Sequence, residues 1–374
     1  MDDYILNPEE FGSVIQRLID GADIGRDLSC RMFRQILCDN PSALQQGAFL
    51  AALRAKGETP EEVAGAWQAI DEMDTNHATV SGDTPVVENS GTGMDRIKTF
   101  NVSSAAAIVA AAAGVRISRH ASRALTSTCG AVDILEAIGV DVECSVQTVA
   151  ESIRDAGIGV FNGMSPQVHP GGLSRILGQI RFGSTLNVAA SLASPCRPDI
   201  GVRGVYSPDV VEMVQSVMSE IGYRRGMVVH GFDRLKEQGM DELSVLGESL
   251  VCEFEGDSAQ TYTIAPEDVK IQTAGLDGVA ACRDREDEAS RFLRVLAGKG
   301  HEECIDFTCL NAAAILRVAN RSESLRQGVE DARQIVFTGK AIEQLRKWVA
   351  AQNSDSDRGL AVFEARCRDA GILE

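Results

Sequence analysis

The chain has 374 residues, is 44% hydrophobic and 24% charged, and carries a formal net charge of −18 from 36 basic and 54 acidic side chains. That length suffices for two domains, and the acidic balance opposes nucleic-acid binding, which depends on neutralising phosphates. No apolar run approaches the ~18 residues of a membrane span, and the acidic start Met1-Asp2-Asp3-Tyr4 is unlike a secretory signal. No membrane partner is expected, and the cytoplasm is the expected location.

Residues 8–76 read as helical throughout. Phe11, Val14, Ile15, Leu18 and Ile19 recur at helical spacing before Gly21. Leu28, Met32, Phe33, Ile36 and Leu37 repeat the pattern before Asn40-Pro41. Pro41 suits a first helical position, and Phe49, Leu50 and Leu53 carry the next apolar face to a stop at Gly57. Thr59-Pro60-Glu61-Glu62 predicts a capped helix: Thr59 caps, Pro60 occupies the first turn, and Glu62 reaches back in a capping box. That helix runs past Trp67 to about Met73, and the polar stretch 74–83 suits a hinge.

From Pro85 onward, short β-branched runs alternate with alanine-rich helical stretches. Residues 85–88, 115–117, 157–161 and 227–231 predict strands, and residues 131–138 and 208–221 predict helices. Residues 250–285 suit two edge strands with a polar connection. The expected fold is α/β, with a small N-terminal all-helical domain over residues 1–80. A large domain over residues 81–374 then holds a mostly parallel central sheet flanked by helices.

Ser90-Gly91-Thr92-Gly93-Met94-Asp95, continued by Thr99-Phe100-Asn101-Val102-Ser103-Ser104, is the most informative stretch. A strand precedes it and a helix of very small residues follows. Glycines flanking a threonine let backbone N–H groups approach an oxyanion without Cβ interference. The free N–H groups and positive dipole end of the next helix favour phosphate. A phosphate cradle and an ordinary turn with a helix cap at Ser103 or Ser104 both fit these residues. The loop falls beyond the carboxyl end of a strand, where open α/β sheets bind their ligands.

A second polar cluster runs from Arg119-His120-Ala121-Ser122-Arg123 to Ser127 and Gly130. Arginine forks, hydroxyls and helix N–H groups suit another anion nest, against the plainer alternative of a solvated loop. His120, His169 and His230 each suit a structural role, and none is assigned as a base. Asp241-Glu242 has the oxygen donors to hold Mg²⁺ beside a diphosphate, but taken alone in so acidic a chain it reads as surface. The ten cysteines lack metal-site spacing and suit small buried hydrophobes.

Together these motifs resemble the anthranilate phosphoribosyltransferase family, and more distantly the nucleoside phosphorylases of the same fold. The resemblance spans the chain: Gly57 to Glu62, Gly91-Thr92-Gly93 with Asp95, Thr99 to Ser103, Arg123 with Ser127, Gly130 and Asp133, Val229-His230-Gly231, Asp241 to Ser244, and Leu310 to Ala314. It implies that Gly91, Thr92, Gly93, Asp95, Thr99, Asn101, Ser103 and Ser104 bind the pyrophosphate of phosphoribosyl pyrophosphate. Arg119 stands where the family has a lysine on the diphosphate, and Ser127 serves the 5′-phosphate region. Ser103, Asp241 and Glu242 are implied Mg²⁺ ligands, which reverses the surface reading of the pair. His120, Ser122 and Arg181 fall to the aromatic acceptor.

The implied reaction moves the 5-phosphoribosyl group to anthranilate or a related aromatic amine and releases pyrophosphate, as in tryptophan biosynthesis. It runs by positioning and metal assistance rather than by a dedicated acid or base. The resemblance also implies a homodimer through the N-terminal helices. The departures gather at the acceptor side: Ala121-Ser122 replaces the family's Gly-Asn, and residues 178–187 and 190–195 diverge, while Met94 replaces a glycine in the loop. A nucleoside or nucleotide phosphorylase, or a non-catalytic ligand-binding paralogue, are the alternative functions.

Overall fold

The computed structural model describes residues 5–93, 97–123 and 129–373. Four helices come first: α1 (Pro8–Ile19), α2 (Gly25–Leu37), α3 (Ala43–Lys56) and α4 (Pro60–Met73). The Thr59–Glu62 capping box forms as expected. Pro41 does not take a first helical position. Ser42 caps α3 instead, its side chain accepting from the Gln45 N–H, a bond proline cannot offer. Ile19, expected on the apolar face of α1, is 64% exposed at its last turn.

The α/β part comprises β1 (Val86–Gly91), α5 (Val102–Ala112), β2 (Arg116–Ala121), α6 (Ala131–Ala137), α7 (Val146–Ala156), β3 (Ile158–Asn162), α8 (Leu173–Ile180), α9 (Thr185–Leu192), β4 (Ile200–Gly204) and α10 (Val211–Glu220). It continues with β5 (Arg225–Phe232), β6 (Gly239–Met240), β7 (Ser249–Glu255), β8 (Ser258–Ile264) and α11 (Leu276–Val279). The closing helices are α12 (Arg285–Leu296), α13 (Glu302–Val318), α14 (Leu325–Phe337), α15 (Lys340–Ala351) and α16 (Ser356–Asp369). The sheet order is β3-β2-β1-β4-β5-β7-β8, with β6 paired to β5. From β3 to β5 every pairing is parallel, whereas β6, β7 and β8 are antiparallel. The two expected edge strands are β7 and β8. The sequence pattern did not reveal β4, which lies between β1 and β5.

Each face of the sheet is covered, as a parallel sheet requires. Val87, Ile117 and Val229 pack with α5, α12, α13 and α15 on one face. On the other face, α1–α4 share a single apolar cluster with α8, α9, α10 and Val228. The helical body is thus completed by three helices from far along the chain, and Trp67 Nε1 donates to Leu192 O at 3.1 Å across the seam with α9. Asp74, at the start of the expected hinge, is buried and accepts from the Gly171 and Leu173 N–H groups. No helix among the described residues is long and apolar enough to cross a membrane.

Candidate active site

Strand-end glycines let one loop lie flat on the sheet. Gly91 ends β1, Gly204 ends β4 in register with it, and Gly231 lies near the end of β5. A Cβ on Gly91 would sit 2.1 Å from Asp241 Oδ2, one on Gly204 1.5 Å from Asp241 O, and one on Gly231 2.4 Å from Glu242 O. A side chain at Gly204 or Gly231 would push the 241–242 backbone off the strand ends, and one at Gly91 would displace the Asp241 carboxylate. Asn311 of α13 then pins the loop, accepting from Leu243 N at 2.9 Å and donating to Leu243 O at 3.0 Å.

This packing corrects the surface reading of Asp241 and Glu242. Asp241 Oδ2 accepts from the Gly93 N–H at 2.8 Å, and Glu242 Oε1 accepts from Ser103 Oγ at 3.3 Å. Gly93 has φ +65°, a conformation other residues adopt only with strain. Thr92 N donates to Gly204 O at 3.0 Å and fixes the loop's exit.

Helix α5 does not start where the hydroxyls suggested. Asn101 precedes its first residue, Val102, so Ser103 and Ser104 belong to the first turn rather than capping it. First-turn amides have no acceptor within the helix, and the Asn101 side chain makes no cap bond, leaving donors for an anion. Ser103 O is held by Asn89 Nδ2 at 2.9 Å and Arg119 Nη1 at 2.6 Å. Ser104 Oγ is buried without a hydrogen-bond partner among the described residues. Thr99 pairs with Ala280 in an isolated bridge, and its hydroxyl donates to Phe100 O.

Arg119 is 3% exposed beneath this turn. Burial pushes its guanidinium down to about 10, opposed by Glu242 and Glu88, so it stays charged at neutral pH. Glu242, Glu88 and Asp241 all act on Arg119, so the acidic pair has a buried cation beside it. Deeper still, Arg203 and Glu88 form an ion pair with no appreciable exposure. Arg203 Nη1 donates to Ser90 Oγ at 2.7 Å, and Tyr223 OH donates to Glu88 Oε2 at 2.5 Å. Sequence reasoning missed this network because no periodic signal marked β4 as the strand carrying Arg203.

On the opposite side, β2 delivers His120, which is 8% exposed. Its Nε2 lies 3.2 Å from His169 Nε2, and His169 Nδ1 lies 2.5 Å from Asp74 O. A carbonyl can only accept, so the neutral His169 carries its proton on Nδ1. Burial, then His169 and Arg203, pushes His120 down to about 3; burial lowers His169 as well. Ser122 is exposed, with its carbonyl accepting from Val132 N. Arg123 is taken up by Glu136, Asp133 and Glu143. Arg181 is exposed at the C-terminal end of α8, with φ +47° and no hydrogen bond or ion pair from its side chain among the described residues. Met94, Asp95 and Ser127 lie outside the described residues. His230 is structural, its Nδ1 against Val205 O at 2.7 Å. Among the ten cysteines, all free, Cys30, Cys252, Cys304, Cys309 and Cys367 are buried as expected, and Cys38 is exposed.

The oxygen donors of Asp241, Glu242 and Ser103 suit a hard cation that completes its shell with water and phosphate oxygens. The buried hydroxyl of Ser104 and the cradle that a Cβ would fill suit a bound diphosphate. The described residues hold no cluster of three or more His, Cys, Asp and Glu able to form a metal cage.

The family models agree with this architecture. Residues 12–73 match the helical bundle domain of the glycosyl transferase family, and residues 83–342 match its a/b domain. The anthranilate phosphoribosyltransferase of Methanopyrus kandleri is 36% identical over 350 residues, covering 90% of this chain and 98% of that one. That of Methanothermobacter thermautotrophicus is 32% identical over 347 residues, covering 91% and 98%.

The chain belongs to the anthranilate phosphoribosyltransferase family.

It is accordingly a glycosyltransferase of the pentosyl-transferring class. The Thermus thermophilus anthranilate phosphoribosyltransferase superposes with a TM-score of 0.81 at 30% identity, covering 90% of this chain and 98% of that one. The Saccharomyces cerevisiae enzyme, solved in complex with phosphoribosyl pyrophosphate and Mg, shares the fold with a TM-score of 0.81 at 22% identity, covering 94% and 100%.

Proposed function

We propose that this chain transfers the 5-phosphoribosyl group from phosphoribosyl pyrophosphate to anthranilate or a related aromatic amine, releasing pyrophosphate, in a Mg²⁺-dependent reaction in the cytoplasm. The observation that carries the reading is the seating of Asp241 and Glu242 against the Gly93 amide and the Ser103 hydroxyl. Two carboxylates at an anion-binding helix start make sense when a cation joins them to a diphosphate.

The first-turn amides of α5, Asp95 and the hydroxyls of Thr99 and Ser104 hold the diphosphate beside the Gly91-Thr92-Gly93 loop, whose Thr92 and Gly93 amides go to Gly204 O and Asp241 Oδ2, and Ser127 serves the 5′-phosphate. Arg119 adds positive charge from beneath Ser103. Ser103, Asp241 and Glu242 hold Mg²⁺, which when bound neutralises charge building on the departing pyrophosphate. His120 and His169 stay neutral at physiological pH and, with Ser122 and Arg181, orient the acceptor toward the anomeric carbon. The aromatic amine is already a neutral nucleophile, so alignment rather than proton removal supplies the rate. The helical unit α1–α4, together with α8 and α9, forms the wall on the acceptor side. Its exposed Ile19 and Leu44, 64% and 86% accessible, suit a homodimer contact through the N-terminal helices.

The test is pyrophosphate release from phosphoribosyl pyrophosphate with anthranilate and a panel of other aromatic amines. Turnover should require Mg²⁺ and should fall about 100-fold or more, the scale of losing a charge stabiliser, in Asp241→Asn and in Glu242→Gln. Unchanged turnover in both variants would overturn the metal assignment. Cleavage of nucleosides by inorganic phosphate, without pyrophosphate chemistry, would overturn the transfer reaction.

A further inference from the structure

The stretch that leads into α5 carries the amide donors, yet it has little structure of its own. Residues 97–101 form no helix or strand and are held from outside, by the end of α11 and the chain that follows it. Thr99 bridges Ala280, Phe100 N donates to Val279 O at 2.9 Å, and Ala281 N donates to Lys98 O at 3.1 Å. One side chain ties this seam together. Glu288, in the first turn of α12, is 1% exposed. Its Oε1 accepts from the Asn101 N–H at 3.2 Å and its Oε2 from the Cys282 N–H at 3.0 Å.

Arg291, one turn on, closes the arrangement. Its Nη2 lies 2.5 Å from Glu288 Oε2, its Nη1 donates to Ala280 O at 2.6 Å, and its guanidinium lies over the Phe100 ring at 5.4 Å. A carboxylate on the residue just before α5 would ordinarily repel a diphosphate at that helix start. Arg291 cancels the charge, so Glu288 can hold the Asn101 amide without adding net negative charge.

We propose that Glu288 and Arg291 are positioning residues for the diphosphate site: a neutral clamp from α12 that holds the entry of α5 so that its free amides face the ligand. The inference rests on the phosphoribosyl pyrophosphate reading of that site. The clamp touches neither donor nor acceptor itself. Its loss therefore weakens donor binding and leaves the acceptor side, built on β2, α8 and α9, unaffected. A residue that merely stabilises the fold would lower melting temperature without this asymmetry.

The experiment measures binding of phosphoribosyl pyrophosphate with Mg²⁺ by titration calorimetry, alongside separate KM values for donor and acceptor. Glu288→Gln keeps the shape but sets an amide hydrogen against one N–H donor, and Arg291→Met leaves a buried charge uncancelled. Each should weaken donor binding about tenfold, the loss of one charged hydrogen bond, with acceptor KM within twofold. The double variant should bind more tightly than Arg291→Met alone, because no uncancelled charge remains. Gln352→Ala, which loosens the far edge of the sheet, serves as the stability control and should leave donor affinity unchanged. Native protein that binds donor, with both single variants binding equally well, overturns the clamp alone. Native protein that binds no phosphoribosyl pyrophosphate overturns the clamp and the reading beneath it.

Discussion

Replacing Gly204 by alanine should disable the site while leaving the fold assembled. The new Cβ would lie 1.5 Å from Asp241 O and 2.5 Å from Asp241 C. Non-bonded carbon and oxygen atoms need roughly 3.2 Å, so the Asp241 backbone must lift by about 1.7 Å, since close-packed β4 cannot yield as far. That lift breaks the 2.8 Å contact with the Gly93 amide. A displacement of about 1 Å costs on the order of 100-fold in a positioned reaction, so kcat should fall by that much or more. The strain of overpacking is about 1–3 kcal/mol, which a chain of this size can absorb. Steady-state pyrophosphate release across a Mg²⁺ titration, with circular dichroism and thermal melts in parallel, measures both. A native-like kcat and Mg²⁺ dependence in a folded Gly204→Ala protein would refute the idea that glycines at the strand ends seat the acidic pair.

Four further changes bear on stability. His120 is held far below its ordinary value of 6.5, at about 3, so the unfolded chain binds more protons between these values. Its contribution is complete above pH 6.5 and shrinks as pH falls; at pH 5 it should have lost about 2 kcal/mol by linkage. Urea unfolding of native protein and His120→Asn at pH 7 and pH 5 tests this, and equal pH slopes would count against a buried neutral imidazole. Arg203→Met leaves the Glu88 carboxylate buried without its cation and should cost about 3–5 kcal/mol, partly recovered when Glu88→Gln is added; strict additivity of the two changes would contradict the ion pair. Gln352 is fully buried and bonds Val160 N and O, each at 2.9 Å, covering the β3 edge. Gln352→Ala should therefore cost about 3 kcal/mol or more in chemical denaturation, two buried partners being left unpaired. Gly47, inside α3 with open space at its Cβ, should gain about 0.5–1 kcal/mol as alanine, and a lower melting temperature would contradict this.

The strand–loop–helix geometry around β1 is legible in the sequence because neighbours in the chain are there also neighbours in space. Gly91, Thr92, Gly93 and Ser103 belong to one strand–loop–helix unit, and local rules for glycine turns and helix starts suffice to find them. Even there the cap was misplaced: two serines look like better caps than Asn101, but Glu288 takes the amide of Asn101 from α12. Local reasoning singles out Asp241 and Glu242 as a possible Mg²⁺ pair but leaves them on the surface, for a different reason. Gly93 and Asp241 are 148 residues apart, and their contact exists because β1 and β4 end in glycines in register and β5 carries Gly231 just before its end. One of those strands, β4, escaped notice because Ile200-Gly201-Val202-Arg203-Gly204 has two glycines and a charge within five residues. Arg203 is tolerated at a buried position because Glu88 meets it from β1, and no single strand reveals such a pairing.

The two halves of the proposed site, one assigned to the donor and one to the acceptor, are therefore held by different forces. The donor half hangs on backbone register: Gly91 opposite Gly204, Thr92 bonded to Gly204 O, and Ser103 O fastened by Asn89 and Arg119. Changes there propagate through hydrogen bonds that strands must make, so little variation is possible. The acceptor half hangs on side-chain packing, where α8 and α9 join the N-terminal helices and the His120–His169–Asp74 chain spans the seam. Packed helices tolerate substitution when volume is kept, and Ser122 and Arg181 are both exposed on that side. The departures at residues 121–122 and 178–187 thus fall where acceptor preference can shift without disturbing the diphosphate cradle. Exchanging Ser122 for asparagine should accordingly change the ranking of aromatic amines while donor KM stays within twofold. A rise in donor KM that matched the change in acceptor preference would show that the halves are coupled after all.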